Sequence, residues 1–235
     1  MRQLEVPAHV FICMDGDFVV LLDVRNDRYW AIDAAKTRAL ASIVRGWPAR
    51  ADAGNSAAIS PEAGTTRLLV EKGLLCEAHD SRTEAAPVQV DAPQSELLAG
   101  PADRHAPAPS AMSFLLAAAV AAVVTRCLSF EQVMARVRRR KQSRGGDTTG
   151  LDVSRAERLI HRFEELRPLL FSARDACLFN SLVLIEFLAR HRLYPQWVFG
   201  VQARPFAAHC WVQHEGIVFN DTLEHVRRFT PIMAI

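Results

Sequence analysis

Apolar and polar positions divide the chain into three stretches of different character. In residues 1–80, segments 10–14 and 18–24 are rich in strand-forming residues. Asp15-Gly16-Asp17 separates them and predicts a hairpin. A second turn at Arg25-Asn26-Asp27 leads into the strand-like Arg28-Tyr29-Trp30-Ala31-Ile32. Asp33 is placed to cap a helix over 34–45, where Lys36, Arg38 and Arg45 alternate with Leu40, Ile43 and Val44. Gly46 and Pro48 end it. Ser60-Pro61-Glu62 reads as an N-cap with proline at the first helical position, opening a helix that reaches Lys72 and stops at Gly73. Leu74-Leu75-Cys76 returns as a short strand.

Residues 77–110 hold five prolines and no aromatic residue, too little apolar surface to order a segment, so 81–109 is expected to be a linker. The third stretch, 110–235, is helical and then strand-rich. Residues 111–141 predict one long helix, or two with a break near Ser129. That stretch ends in a basic run, Arg136, Arg138, Arg139, Arg140, Lys141 and Arg144, which is expected to be a solvated helix end complementing the helix dipole. Residues 145–150 read as a flexible loop and 154–166 as an amphipathic helix ended by Arg167-Pro168. A further helix opens at Cys177, a strand covers 195–201, and strands at 206–213 and 217–221 flank His214-Glu215-Gly216. The overall expectation is an α+β chain with two domains, 1–80 and 110–235.

Candidate chemistry concentrates in the last stretch. Taking His214-Glu215-Gly216 as a three-residue loop, Gln213 faces Ile217, Trp211 faces Phe219 and His209 faces Asp221. Alternation puts those pairs on one side of the sheet, so an imidazole meets a carboxylate. Cys177 at a helix N-terminus supplies a thiol whose ionisation the helix dipole favours. Cys177, His209 and Asp221 together make a nucleophile, a base and an orienter. Each alone has a plain reading, since a lone Cys is usually a small hydrophobe and a His–Asp pair is often superficial. Cys210 falls on the face opposite His209 and is expected to be a small core residue; His214 at the loop is expected to be exposed and inert.

With half its 235 residues hydrophobic, the chain can bury a sizeable core, and a net charge of +2 gives no general attraction to nucleic acid or anionic membrane. Residues 1–80 carry nine basic and eleven acidic residues, the wrong balance for reading DNA. The five cysteines are widely spaced without Cys-x-x-Cys, so neither a disulfide framework nor a metal site is indicated, and a reducing cytoplasm suits them. The N-terminus lacks a signal-peptide core. The longest apolar run, 111–124, falls short of the about 20 residues a membrane span needs.

Several motifs carry a family likeness. Cys177-Leu178-Phe179-Asn180-Ser181-Leu182, Val198-Phe199-Gly200-Val201, Pro205-Phe206-Ala207-Ala208-His209-Cys210-Trp211-Val212, Gly216 and Asn220-Asp221 occur in order. This half resembles the transglutaminase-like leader peptidases of lasso-peptide biosynthesis, the B proteins. Residues 18–23, 27–33 and 69–75 are similar to the small winged-helix module that binds precursor leaders in ribosomal peptide pathways. Position 180 is Asn where the family usually has Arg, and position 210 is Cys where it has Ala.

The resemblance implies a winged-helix-like domain fused to a transglutaminase-like (papain-like) cysteine protease domain. It implies cleavage of a leader peptide with Cys177, His209 and Asp221 as catalytic residues. The leader would add to an edge strand formed by Arg28, Tyr29, Trp30, Ala31 and Ile32, against a helix carrying Arg67, Leu68 and Glu71. The expected partners are a precursor peptide and an asparagine-synthetase-like lactam cyclase. ATP dependence is discussed for the family, but the sequence carries no Walker-type loop and no cofactor motif. Two other classes stay open at this stage: a thiol acyltransferase and a non-catalytic leader-binding chaperone.

Overall fold

The computed structural model describes residues 3–48, 63–78, 89–97, 111–144, 152–169 and 177–235. The chain forms two compact units. One comprises Met1–Gln89 with Val201–Ala207 and Thr230–Met233; the other comprises Val90–Gly200, Ala208–Phe229 and Ala234–Ile235. The N-cap expected at Ser60, the loop expected at 145–150 and most of the linker expected at 81–109 lie outside the described residues.

In the first unit, β2 (Val10–Asp15), β3 (Phe18–Asp23) and β4 (Arg28–Asp33) form an antiparallel sheet in that order, and β4 is an edge. Gly16 takes φ +55° in the first turn, a conformation glycine adopts without cost. The second turn is tied by Asp23, whose carboxylate accepts from the backbone N–H groups of Arg25 (3.0 Å) and Asn26 (3.2 Å) and from Asn26 Nδ2 (2.7 Å). A second small sheet joins β1 (Leu4–Glu5) in parallel to β5 (Val44–Arg45) and antiparallel to β6 (Cys76–Glu77).

Asp33 does cap a helix, accepting from Ala35 N–H at 2.8 Å, but α1 covers only Ala34–Thr37 before a 3-10 segment, Arg38–Ser42. The helix expected over 34–45 is cut short because Val44 enters the sheet opposite Leu4 and is buried there. Tertiary pairing overrides the apolar periodicity, aided by the β-branched pair Ile43-Val44. α2 (Ala63–Glu71) closes the core with Leu69, beside Val10, Val19, Leu21, Leu40, Trp47, Leu74 and Leu75. Burying each such side chain is worth about 1.5–3 kcal/mol. Residues 201–207 and 230–233 belong to this unit partly through Asp15, whose carboxylate accepts from Ala203 N–H (2.7 Å) and Thr230 Oγ1 (2.6 Å).

The second unit packs α3 (Ala111–Cys127), α4 (Phe130–Arg144), α5 (Val153–Leu166) and α6 (Cys177–Arg190). The long apolar stretch is two helices. Ser129 and Gln132 form a capping box that starts α4, Ser129 N–H donating to Gln132 Oε1 (2.9 Å) and Gln132 N–H to Ser129 Oγ (3.4 Å). Phe114, Phe163 and Phe187 join α3, α5 and α6 with ring centroids 5.6–6.3 Å apart.

The basic run is not simply a solvated helix end. Arg140 pairs at 2.6 Å with Glu186 of α6, a carboxylate 2% exposed, and Lys141 Nζ donates to Pro195 O at 3.4 Å. A carboxylate that deep needs its cation, so these bases turn inward. Among the described residues no helix is long and apolar enough to cross a membrane.

The principal sheet runs β11 (Thr230–Ala234), β8 (Gln196–Gln202), β9 (Ala207–His214), β10 (Ile217–Val218), β7 (Ser95–Glu96). β7 corrects the linker expectation. Ser95 and Glu96 pair in parallel with Ile217 and Val218, and Val90 packs against Val198, Trp211, Val218 and Val226. Six polar or proline-rich residues around one Val hide the signal, because the strand's partner, not its own side chains, specifies it.

Candidate active site

Cys177 is the first residue of α6, at the positive end of its helix dipole. One turn on, Ser181 holds that end. Its Oγ donates to Cys177 O at 2.6 Å, accepts from Trp197 Nε1 at 2.8 Å, and lies 3.3 Å from Cys210 Sγ. The segment 172–176, which leads into α6, lies outside the described residues.

His209 Nε2 and Asp221 Oδ2 are 2.5 Å apart, so the anticipated pair forms, although the anticipated register is wrong. The hairpin pairs Ile217 with His214 and Val218 with Gln213, leaving a two-residue turn, Glu215 and Gly216, at φ 47° and 78°. Two positive φ values belong to the tight hairpin turn that matches strand twist. His214 is therefore a strand residue, 7% exposed, and not an exposed loop residue. This register, extended to residue 221, would set Asp221 opposite Cys210.

Asn220 prevents that. Phe219 N–H still bonds Val212 O at 2.9 Å, but Val212 N–H is taken by the Asn220 side chain at 2.8 Å. The ladder stops there, as at a bulge, and Asp221 leaves the strand to reach His209. Thr222 N–H donates to Asp221 Oδ1 at 2.7 Å, and Thr222 caps the short helix α7 (Leu223–Val226). Leu223 N–H also donates to Glu96 Oε2 of β7.

Helix α7 brings in a residue the sequence reading missed. His225 Nδ1 lies 3.0 Å from both oxygens of Asp221, and its ring centroid is 4.6 Å from that of His209. Asp221 to His225 is an i, i+4 spacing, visible only once Thr222 is recognised as a cap. His209, Asp221 and His225 offer three donor atoms within 4.8 Å of one another, a set that could hold a divalent ion; in the structure these donors are hydrogen bonded among themselves.

Behind His209, Trp211 lies with its ring stacked at 17° and 6.2 Å, and Phe229 lies 5.1 Å away. Trp211 is fully buried and donates from Nε1 to Gln213 Oε1 at 2.6 Å, while Gln213 Nε2 donates to Asp91 O at 2.9 Å. Trp211 is thus a floor under the imidazole. Gly200 makes room for it: a Cβ there would come within 2.8 Å of Phe229 Cβ and of Trp211.

The electrostatics follow from these contacts. Hydrogen bonds from the Cys210 thiol and then from His209 pull the Cys177 thiol down to about 4, outweighing burial, with the Cys210 backbone N–H adding to them. Burial opposes charge on His209, but hydrogen bonds to Asp221 and Cys177 carry it up to about 9. Asp221 is also opposed by burial, yet hydrogen bonds from His209, His225 and Thr222 N–H hold it below the usual carboxylate value. With Nε2 engaged by Asp221, His209 presents Nδ1 to the thiolate. The resting state is a thiolate–imidazolium pair.

Cys210 corrects the sequence reading. It is 2% exposed and lies on the side opposite His209, as alternation requires, but α6 packs on that same side. Its thiol therefore meets Cys177 instead of a remote core, and bonding to the neighbouring thiolate pushes its own ionisation well above the ordinary value.

The residues expected to hold a leader lie in the first unit. Trp30 and Ile32 pack against the core cluster, and the Tyr29 ring lies 5.6 Å from that of Phe206, tilted by 59°. Arg28 and Ala31 are exposed on β4. On α2, Arg67 and Glu71 pair with each other at 2.7 Å, Leu68 is 47% exposed, and Lys72 Nζ sits 6.0 Å over the Trp30 ring. The strand edge and the helix end are thus neighbours, but half of the strand's side chains are committed inward.

A search of curated proteins gave no significant match, and neither did a search of solved structures. A family model described as Transglutaminase-like superfamily matches residues 112–234, more than half of the chain and all of the cysteine–histidine–aspartate cluster. That superfamily usually works by cysteine-based catalysis, which supports an enzyme. An α+β domain with a cysteine at a helix start, a histidine on a strand and an aspartate just beyond the neighbouring strand agrees with it: this chain belongs to the transglutaminase-like superfamily.

Proposed function

We propose that the protein is a cysteine peptidase that removes the leader of a ribosomally made precursor peptide and releases the core for lasso-type macrocyclisation. The observation that carries the reading is the hydrogen-bonded series Cys177, His209, Asp221, with the thiol pulled down to about 4 and the imidazole carried up to about 9. The Cys177 thiolate attacks the scissile carbonyl, and protonated His209 delivers its proton to the leaving amine. Asp221 fixes the imidazole and stabilises its charge. Water, activated by the now neutral His209, hydrolyses the acyl-enzyme. The Cys177 N–H at the start of α6 is one oxyanion donor.

The first unit would hold the leader. Its β4 edge offers backbone groups to an extended peptide, and Arg28, Ala31 and Leu68 remain outward for contact. The core released here would pass to a lactam-forming cyclase.

The test is incubation of the full chain with a precursor from the same gene neighbourhood, followed by mass spectrometry. Separate leader and core masses, lost in Cys177→Ala, support the reading. Transfer of the acyl group to an added amine in place of water would reassign the protein as an acyltransferase. Unchanged cleavage by Cys177→Ala would remove the thiol mechanism.

A further inference from the structure

The triad leaves one reactive group unused. Cys210 lies beside the nucleophile, and a shared set of hydrogen bonds defines the pair. Ser181 Oγ touches both the Cys177 carbonyl (2.6 Å) and Cys210 Sγ (3.3 Å), so one hydroxyl brackets the two cysteines. The Cys210 thiol and the Cys210 backbone N–H both hydrogen bond to the Cys177 sulfur. Trp197 Nε1, at 2.8 Å from Ser181 Oγ, locks the hydroxyl between them.

The two thiols differ in access. Cys177 is part-exposed, as a nucleophile must be, whereas Cys210 is 2% exposed. A solvent oxidant therefore meets Cys177 first, and Cys210 is reached from within the protein. Thiolate character and exposure together decide which cysteine a peroxide attacks.

We infer that Cys210 is a resolving thiol, which captures oxidised Cys177 as an intramolecular disulfide. In the first step the Cys177 thiolate attacks hydrogen peroxide: an S–O bond forms, the O–O bond breaks, and hydroxide leaves as water after taking a proton. The sulfur is oxidised by two electrons and the peroxide is reduced. In the second step Cys210 sulfur attacks the Cys177 sulfenic sulfur: an S–S bond forms, the S–O bond breaks, and the hydroxyl departs as water with the Cys210 proton. One peroxide and two thiols give one disulfide and two waters.

The consequence is protection. A sulfenic acid with no thiol beside it proceeds to sulfinic acid, which thiols do not reduce, whereas a disulfide is reversed by exchange. Oxidation would thus park the enzyme in a recoverable form. The inference needs a thiolate at Cys177 but holds whether the acyl acceptor is water or an amine, and whether or not a leader peptide is the substrate.

The experiment treats the reduced full chain with a small molar excess of hydrogen peroxide, enough for two oxidations per Cys177, at neutral pH, blocks free thiols, and maps non-reduced peptides by mass spectrometry. The expected product is a Cys177–Cys210 linked peptide lacking two hydrogens, returned to free thiols by dithiothreitol. In Cys210→Ser and Cys210→Ala, Cys177 should instead gain two oxygens, and its recovery by dithiothreitol should fall from nearly complete to nearly none. The wild-type chain decides the matter even if a variant folds poorly. Cys177 sulfinate accumulating beside free Cys210, or Cys177 paired with exposed Cys127, would overturn the inference.

Discussion

Cys13 and Cys177 are both part-buried thiols, one in β2 of the first unit and one at the start of α6 in the second, and their surroundings send them in opposite directions. Burial, with a smaller push from Asp15, raises Cys13 to about 12. Cys177 falls to about 4 because Cys210 and His209 donate to it. Partial burial is common to both, so it does not decide reactivity; donors aimed at the sulfur do. The same contrast holds for the two units. Outward charges on α2 answer one another in an i, i+4 pair, whereas Asp221 in the second unit serves two imidazoles at once.

The comparison breaks most completely if the donors are removed. Cys177→Ala should abolish precursor cleavage. Asp221→Asn keeps the shape but favours the wrong imidazole tautomer, so turnover should fall by about 10³–10⁴-fold with little change in precursor binding. His209→Ala should be at least as severe, and the double variant not much worse than the worse single one. Multiplying losses in steady-state kinetics would mean the two residues act separately.

A smaller effect is expected where the floor under His209 is disturbed. Gly200→Ala places a methyl against Trp211 and Phe229, and overpacking of this kind costs about 1–3 kcal/mol. A lower melting temperature together with slower turnover is the expected result. Stability lost with turnover intact would show that the imidazole does not depend on its floor.

How much of this was legible in the sequence varies from residue to residue. Cys177, His209 and Asp221 were visible because order, residue type and strand alternation leave few other arrangements. The strand register that sets His209 opposite Asp221 is nevertheless not the one the chain adopts. Glu215-Gly216 makes a two-residue turn, and Asn220 then breaks the ladder and restores the pair. A bulge driven by one side-chain hydrogen bond leaves no trace in periodicity. β7 was hidden because Ser95-Glu96 has no strand pattern of its own, and the contact of Cys210 with Cys177 was hidden because alternation says nothing about where α6 begins over the sheet.

Milder still, His225→Ala should raise Asp221 toward the ordinary carboxylate range by removing one of its donors. Turnover should drop by a few-fold, most at acid pH, where the carboxylate is nearest to protonation. A pH–rate profile identical to wild type would leave His225 without a positioning role. In the first unit, Ala31→Pro on the β4 edge should weaken leader binding in a titration while leaving Cys177 alkylation unchanged. Unchanged binding would remove β4 as the docking edge.

The contrast between Cys13 and Cys177 is measured most directly by site-resolved alkylation against pH. The thiolate–imidazolium pair exists above about 4, where Cys177 gives up its proton, and below about 9, where His209 still holds one. In the intact chain, iodoacetamide should therefore label Cys177 already at pH 5–6, while Cys13 stays unlabelled throughout. In His209→Ala, onset of Cys177 labelling should move upward toward the ordinary thiol value of 9.0. A wild-type Cys177 that begins to react only near that value, or one indifferent to His209→Ala, would contradict the account.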